Sequence, residues 1–189
     1  TDSNTIHTKL SPYHGGAGSV AESIRNVISM GATPYAVVDC LNFGNPEKPE
    51  LLWQFNSCIE GMSAVADAFK APVISGNVSF YNETEGVKIN PTPAVGVIGV
   101  ENIENIRTMD FKKYGDKILI IGETYDELGG SEYLRTIYDI EEGMAPRIRV
   151  DEEVANGKTV LDLVDKDINK NITAIHDVSA GGILITLSE

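Results

Sequence analysis

Two cysteines in 189 residues exclude a disulfide framework. Cys40 and Cys58 lie 18 positions apart, a spacing that forms no zinc-type motif. One sits in a strand-like apolar run and the other in a helix-like run. Both read as buried packing residues of a reducing, cytoplasmic protein. Histidine is scarce as well, with three in the chain. His7 and His14 have no visible acid or cysteine partner, His176 reads as a structural strand-end residue, and no Ser-His-Asp ordering stands out. Basic residues are few: 15 Lys and Arg against 28 Asp and Glu, a formal charge of −13. Nucleic acid and anionic membrane are thereby excluded as main partners, because both would be repelled. Anionic small ligands remain open, since backbone donors or Mg²⁺ can overrule the global sign locally. No apolar run approaches the ~18 residues that would span a bilayer. The polar start Thr1-Asp-Ser-Asn-Thr5 is not a signal sequence and lacks an initiator Met, as expected of a processed chain or an excised piece.

What is present is enough for a core. Hydrophobic residues make up 42% of a length that suits one large or two small domains. Residues 1–17, punctuated by Pro12, Gly15, Gly16 and Gly18, read as irregular. Ser19-Val-Ala-Glu22 is a capping-box pattern, and Val20, Ile24, Val27 and Ile28 recur at helical spacing, which predicts a helix from Ser19 to Met30. Tyr35–Leu41 reads as a buried strand containing one acid. Leu51, Leu52, Phe55, Ile59, Met62, Val65, Ala66 and Phe69 form one apolar stripe of a long helix, with Pro49 near its start. A short strand opens at Pro72, a turn follows at Thr84–Gly86, and Pro93–Val100 is another buried strand. The polar stretch 101–116 places a domain boundary near Arg107. Beyond it, strands are expected at Lys117–Ile121 and Ile172–Ile175. Helices are expected at Ser131–Ile140 and Glu152–Asp165, with a last one beginning at Ile183. This second region has the marginal core of a small domain and ends in what reads as an unfinished helix, so truncation at both ends is expected.

The stretch Ile74-Ser-Gly-Asn-Val-Ser-Phe-Tyr-Asn82 carries the chemistry. An apolar run stops at Ser75-Gly76-Asn77. Gly76 permits close approach to the backbone. Asn77 offers a carboxamide oxygen and Ser79 a hydroxyl, on one face of an extended segment. Such a strand end can hold a phosphate with its metal ion; it can equally be a polar turn closing a core strand. Strand, helix and strand also form a right-handed crossover of ordinary length. If its strands are parallel neighbours, Asp39 and Asn77 come to one strand-end crevice, where open α/β sheets place ligands. An acid and an amide there suit Mg²⁺, which takes oxygen ligands, and nucleotide phosphate. Asp177-Val-Ser179-Ala-Gly181-Gly182 is a weaker phosphate-loop candidate between a strand and a helix. No Lys follows its glycines, so it is not a Walker A motif.

Several motifs then agree in order: Asp39-Cys-Leu-Asn-Phe-Gly-Asn-Pro-Glu47, Ser75-Gly-Asn-Val-Ser-Phe-Tyr-Asn-Glu83, Pro91-Thr-Pro93 with Val97-Ile-Gly-Val100, Leu128-Gly-Gly-Ser131 and Asp177–Gly182. From about Ser11 onward the chain resembles the second homologous half of the large catalytic subunits of phosphoribosylformylglycinamidine synthase. These belong to the superfamily of aminoimidazole ribonucleotide synthetase, selenophosphate synthetase and thiamine-monophosphate kinase. The resemblance implies an α+β fold: a truncated two-domain half, with a barrel-forming α+β N-terminal domain (1–107) and an α/β C-terminal domain (108–189). It implies an ATP-dependent ligase of purine biosynthesis, which activates the formamide oxygen of formylglycinamide ribonucleotide for displacement by glutamine-derived ammonia. Asp39 and Gly76 would contact ATP, Asn77 would bind Mg²⁺ and Ser79 would contact substrate. The implied partners are the first half of the same enzyme, a glutaminase subunit and a small accessory subunit. The family's catalytic histidines lie in that first half, so no catalytic residue is assigned here and the piece alone is expected to be inactive. Unpaired apolar strands predict a homodimer. The alternatives are a structural nucleotide-binding module of the same protein, or a related synthetase or kinase.

Overall fold

The computed structural model describes residues 1–167 and 170–189. The N-terminal region is a helical layer on a sheet. Helix α1 spans Thr5–Leu10, with the Asn4 side chain accepting from the His7 N–H at its N-cap. Helix α2 spans Pro12–Ile28, with Pro12 in the first turn, where a missing N–H leaves nothing unpaired. The irregular segment expected over 1–17 is therefore helical from Thr5 onward, apart from the extended Ser11 between the two helices. Ser19, expected as a cap, is buried in mid-helix and donates its hydroxyl to the Gly15 carbonyl.

Glycine misled because it serves packing here. Helix α3, Pro49–Ala68, crosses α2 so closely that a Cβ at residue 16 would sit 2.4 Å from the Cys58 carbonyl oxygen. One at residue 61 would sit 2.0 Å from the Tyr13 carbonyl oxygen. Tertiary contact thus outweighs the helix penalty of glycine, about 1 kcal/mol each relative to Ala. The two helices bury Ala17, Val20, Ala21, Ile24, Cys58, Met62 and Val65 in one cluster. Each large aliphatic buried there contributes about 1.5–3 kcal/mol. Leu52, expected in the stripe, is exposed.

Three strands lie against these helices: β1 (Thr33–Asn42), β2 (Val73–Ser79) and β5 (Thr92–Val100), in the order β2-β1-β5. β1 runs parallel to β2, joined through α3 as the crossover rule requires, and antiparallel to β5. Between β2 and β5 a small hairpin, β3 (Glu83–Thr84) and β4 (Val87–Lys88), turns through Glu85 and Gly86, both with positive φ. Val37, Leu41 and Val95 put the core face of the sheet on the helices, and Tyr35, Ile98 and Val100 remain exposed.

The second region holds α4 (Glu132–Tyr138), capped by Ser131, then α5 (Val150–Lys166) and the short α6 (Gly182–Thr186). Asn156-Gly157 does not interrupt α5. A Cβ at Gly157 would lie 2.8 Å from Ile28 Cδ1 and 3.1 Å from Phe69 Cε1, so α5 packs against α2 and the end of α3 at that glycine. The strands expected at Lys117–Ile121 and Ile172–Ile175 are not formed. Neither segment pairs in a ladder, and Ile118, Leu119 and Ile120 are more than half exposed. A strand is defined by a ladder with its neighbour, and the one backbone bond from Ile175 N–H to the Thr108 carbonyl at 3.2 Å does not make one. Between the regions Arg107 is buried. Its Nε donates to the Ile172 carbonyl at 2.9 Å, Nη1 to the Asn105 carbonyl at 2.8 Å, and Nη2 meets Asp167 Oδ2 at 3.3 Å. The Ile172 and Asn171 N–H groups, with Arg107, hold the Asp167 carboxyl below the usual carboxylate range.

Candidate functional site

The C-terminal ends of β1 and β2 bring the first group of candidates together. In the parallel register Asp39 faces Gly76, Cys40 faces Asn77 and Asn42 faces Ser79. Asp39 lies opposite Val95 on β5, which is buried in the core, so its side chain leaves the sheet on the helix side. It leans across Gly76: a Cβ there would meet Asp39 Oδ1 at 2.2 Å and Cγ at 2.7 Å. The space that glycine opens at position 76 is therefore filled by Asp39 itself. Burial raises the Asp39 carboxyl above its usual range, against the Asn77 backbone N–H, which favours the charged form.

Alternation sends Asn77 and Ser79 to the opposite, open face. They share it as expected, together with Cys40. Asp39 and Asn77 are neighbours along the ladder, yet their side chains diverge, so the single crevice expected for acid and amide is split by the sheet. Asn77 is exposed, and among the described residues its carboxamide makes no hydrogen bond. That free oxygen fits a cation as one neutral ligand. The described residues contain no group of three or more His, Cys, Asp and Glu able to hold a metal. Mg²⁺ at Asn77 would thus take its other ligands from phosphate, water or residues outside this chain, as Mg²⁺ sites at nucleotides commonly do. Ser79 is half-buried and its hydroxyl lies 3.2 Å from Asn82 Oδ1.

The second candidate lies elsewhere. Asp177 Oδ1 accepts from the Ser29 hydroxyl at 3.2 Å, at the C-terminal end of α2. β1 begins shortly after that point, so the loop flanks the opposite end of the sheet, on the order of 20 Å from Asp39 by strand rise. The Gly182 N–H donates to the Ser179 carbonyl at 3.0 Å, and Gly181 and Gly182 take φ of 91° and 68°. With its N–H turned inward and only a five-residue helix behind it, the loop lacks the outward amides of a phosphate cradle.

Cys58 is buried as expected, and burial pushes its thiol up to about 12. Cys40 is exposed, contrary to expectation, because it falls on the open face. His14 Nδ1 accepts from the Ile148 N–H, and burial holds its ring below the usual imidazole range. His7 is lowered for the same reason. Sequence reading passed over the half-buried Arg25, which binds Glu22 at 2.7 Å and Glu153 at 2.6 Å and ties α2 to α5. Only the Glu22–Arg25 spacing along one helix face announces it.

Comparison with known proteins gives the family. The model of the AIR synthase related protein N-terminal domain matches residues 1–100, and that of the corresponding C-terminal domain matches 113–189. The chain belongs to the AIR synthase related family. Two similar members are both named phosphoribosylformylglycinamidine synthase subunit PurL. One, from Methanobrevibacter smithii, is 78% identical over 189 residues, covering 100% of this chain and 26% of its own length. The other, from Methanothermobacter thermautotrophicus, is 57% identical over 188 residues with the same coverage. The chain spans about a quarter of the length of these curated relatives. Among solved structures, T. maritima PurL complexed with FGAR superposes on 99% of this chain and 30% of its own at TM-score 0.72 and 20% identity. Hydrogenase maturation protein HypE superposes on 98% of this chain and 55% of its own at TM-score 0.71 and 21% identity. At those identities the likeness shows the AIR synthase related fold, an α+β architecture, and nothing of ligands.

Proposed function

We propose that this chain is the second-half nucleotide and metal segment of a phosphoribosylformylglycinamidine synthase large subunit. That enzyme is an ATP-dependent ligase joining glutamine-derived ammonia to formylglycinamide ribonucleotide in purine biosynthesis. The observation that carries the reading is the 78% identity to a subunit of that name across the whole chain. The paired ends of β1 and β2 supply the residues. Asp39 and Gly76 serve the nucleotide from the helix side of the sheet. Asn77 offers one neutral oxygen to magnesium, and Ser79 offers its hydroxyl to the substrate. Bound Mg²⁺ would supply neutralisation of phosphate charge. The chain's own part is to hold these groups at fixed positions on a rigid ladder. It lacks an acid cluster among the described residues, so the charge that drives turnover comes from outside it. A second reading of the same identity makes the nucleotide here structural, without turnover.

The partners on this reading are the first half of the enzyme, a glutaminase subunit and a small accessory subunit, in the cytoplasm. No helix among the described residues is long and apolar enough to cross a membrane. The chain alone is inactive and pairs with a second copy through its open sheet. The test replaces Asn77 by Leu in the full-length subunit. A leucine removes the oxygen and blocks a replacing water. The ligase reading expects at least about a tenfold fall in kcat per folded, nucleotide-loaded molecule, about 1.4 kcal/mol of transition-state stabilisation. Unchanged turnover on that basis rejects it in favour of the structural nucleotide.

A further inference from the structure

Asn82 closes the stretch that bears the candidate site, and none of the roles above uses it. Its Nδ2 donates to the Phe43 carbonyl at 2.9 Å and to the Ser79 carbonyl at 2.9 Å. Two carbonyls face one nitrogen, so the amide cannot be turned over without setting oxygen against oxygen. Oδ1 is thereby placed 3.2 Å from the Ser79 hydroxyl. Nδ2 also lies 3.2 Å from that hydroxyl, but its two protons are already directed at the carbonyls. The Ser79 proton therefore goes to Asn82 Oδ1, and the lone pairs of Ser79 Oγ are left for a ligand. The backbone supports the same arrangement. Asn82 N–H donates to the Phe43 carbonyl and Tyr81 N–H to the Gly44 carbonyl, across a Tyr81 held at φ 58°. L side chains seldom adopt that conformation, and here it folds Asn82 back over Ser79.

We propose that Asn82 is a positioning residue that presents the Ser79 hydroxyl as a hydrogen-bond acceptor, so that Ser79 selects an N–H or O–H group of the substrate and not a phosphate oxygen. This rests on the reading of Ser79 as a substrate contact. Of the groups on a formamido ribonucleotide, an amide N–H or a ribose hydroxyl meets the requirement. A phosphate oxygen, itself an acceptor, does not.

The test is a double-mutant cycle in the full-length subunit, with ammonia as nitrogen donor and KM for the ribonucleotide as readout. Ser79→Ala and Asn82→Ala should each raise KM about tenfold, the worth of one polar contact. Asn82→Ala should add less than about twofold once Ser79 is already Ala. An Asn82→Ala effect of equal size in both backgrounds, or a fall in Tm with KM unmoved, overturns the proposal and leaves Ser79 as a substrate contact. A Ser79→Ala variant with unchanged KM removes Ser79 from the substrate site, and the proposal with it. Asn82→Leu keeps the approximate volume but lacks both Oδ1 and the N–H donors; it takes the place of Asn82→Ala in the cycle if that variant does not accumulate.

Discussion

Gly76→Ala tests the close contact between β2 and the Asp39 side chain of β1. The added Cβ would stand 2.2 Å from Asp39 Oδ1, 2.7 Å from Cγ and 3.0 Å from Oδ2. Rotating the terminal carboxylate does not relieve this, because Cγ is itself too close, so χ1 of Asp39 or the strand must shift. Overpacking of this kind costs about 1–3 kcal/mol. Against it stands the reduced freedom of the unfolded chain, worth about 0.4–1 kcal/mol for Gly→Ala where the backbone suits alanine. Gly76 has no positive φ, so it suits. The net loss is roughly 0.5–2 kcal/mol, and for a chain of this size each kcal/mol moves Tm by about 2–4 °C. In an Asp39→Ala background the obstruction is gone and only the entropic gain remains, so Gly76→Ala should become neutral or stabilising. Thermal unfolding followed by circular dichroism on the four variants reads both signs. An equal loss of Tm in both backgrounds would show that Gly76 is required for something other than the space Asp39 fills.

Asp39→Asn should raise stability above the acid range while weakening nucleotide binding. The folded state holds this carboxyl above its usual pKa, so the stability tied to its protonated form is lost as pH rises from about 4 through the folded value; Tm against pH for the two proteins should diverge in that direction. Asp167 behaves oppositely. Its carboxyl is depressed, so its contribution is present above about pH 4 and lost as pH falls through the folded value. Arg107→Met should flatten that acid limb, and an unchanged acid transition would refute the role given to the buried pair. A thiol reagent should label Cys40 in the folded protein and reach Cys58 only on unfolding, because one is exposed on the open sheet face and the other is buried between helices. Simultaneous labelling of both would contradict the packing of α3.

What the sequence determined by itself was local and periodic. The stripe from Leu51 to Phe69 specified α3, Tyr35–Leu41 and Pro93–Val100 specified β1 and β5, and Ser131 and Thr84–Gly86 marked a helix start and a turn. The motifs around Asp39 and Gly76-Asn77 nominated the candidate site, and the crossover rule brought their strands side by side. Tertiary structure decided the rest. Gly15 and Gly16 read as breakers because nothing in the sequence shows α1 and α3 pressed against α2 at those positions, and glycine's permissiveness does not say which close approach it serves. Lys117–Ile121 and Ile172–Ile175 have strand-like composition and no strand, because a ladder requires a neighbour that periodicity cannot supply. The faces of the sheet were also invisible beforehand. Asp39, Asn77 and Ser79 were chosen from one-dimensional spacing, but only the register with Gly76, Cys40 and Val95 sets the acid on the helix side and the amide on the open side. A shift of one residue would exchange the two faces, and that register is held by side chains packing from β5, α2 and α3, far away in sequence.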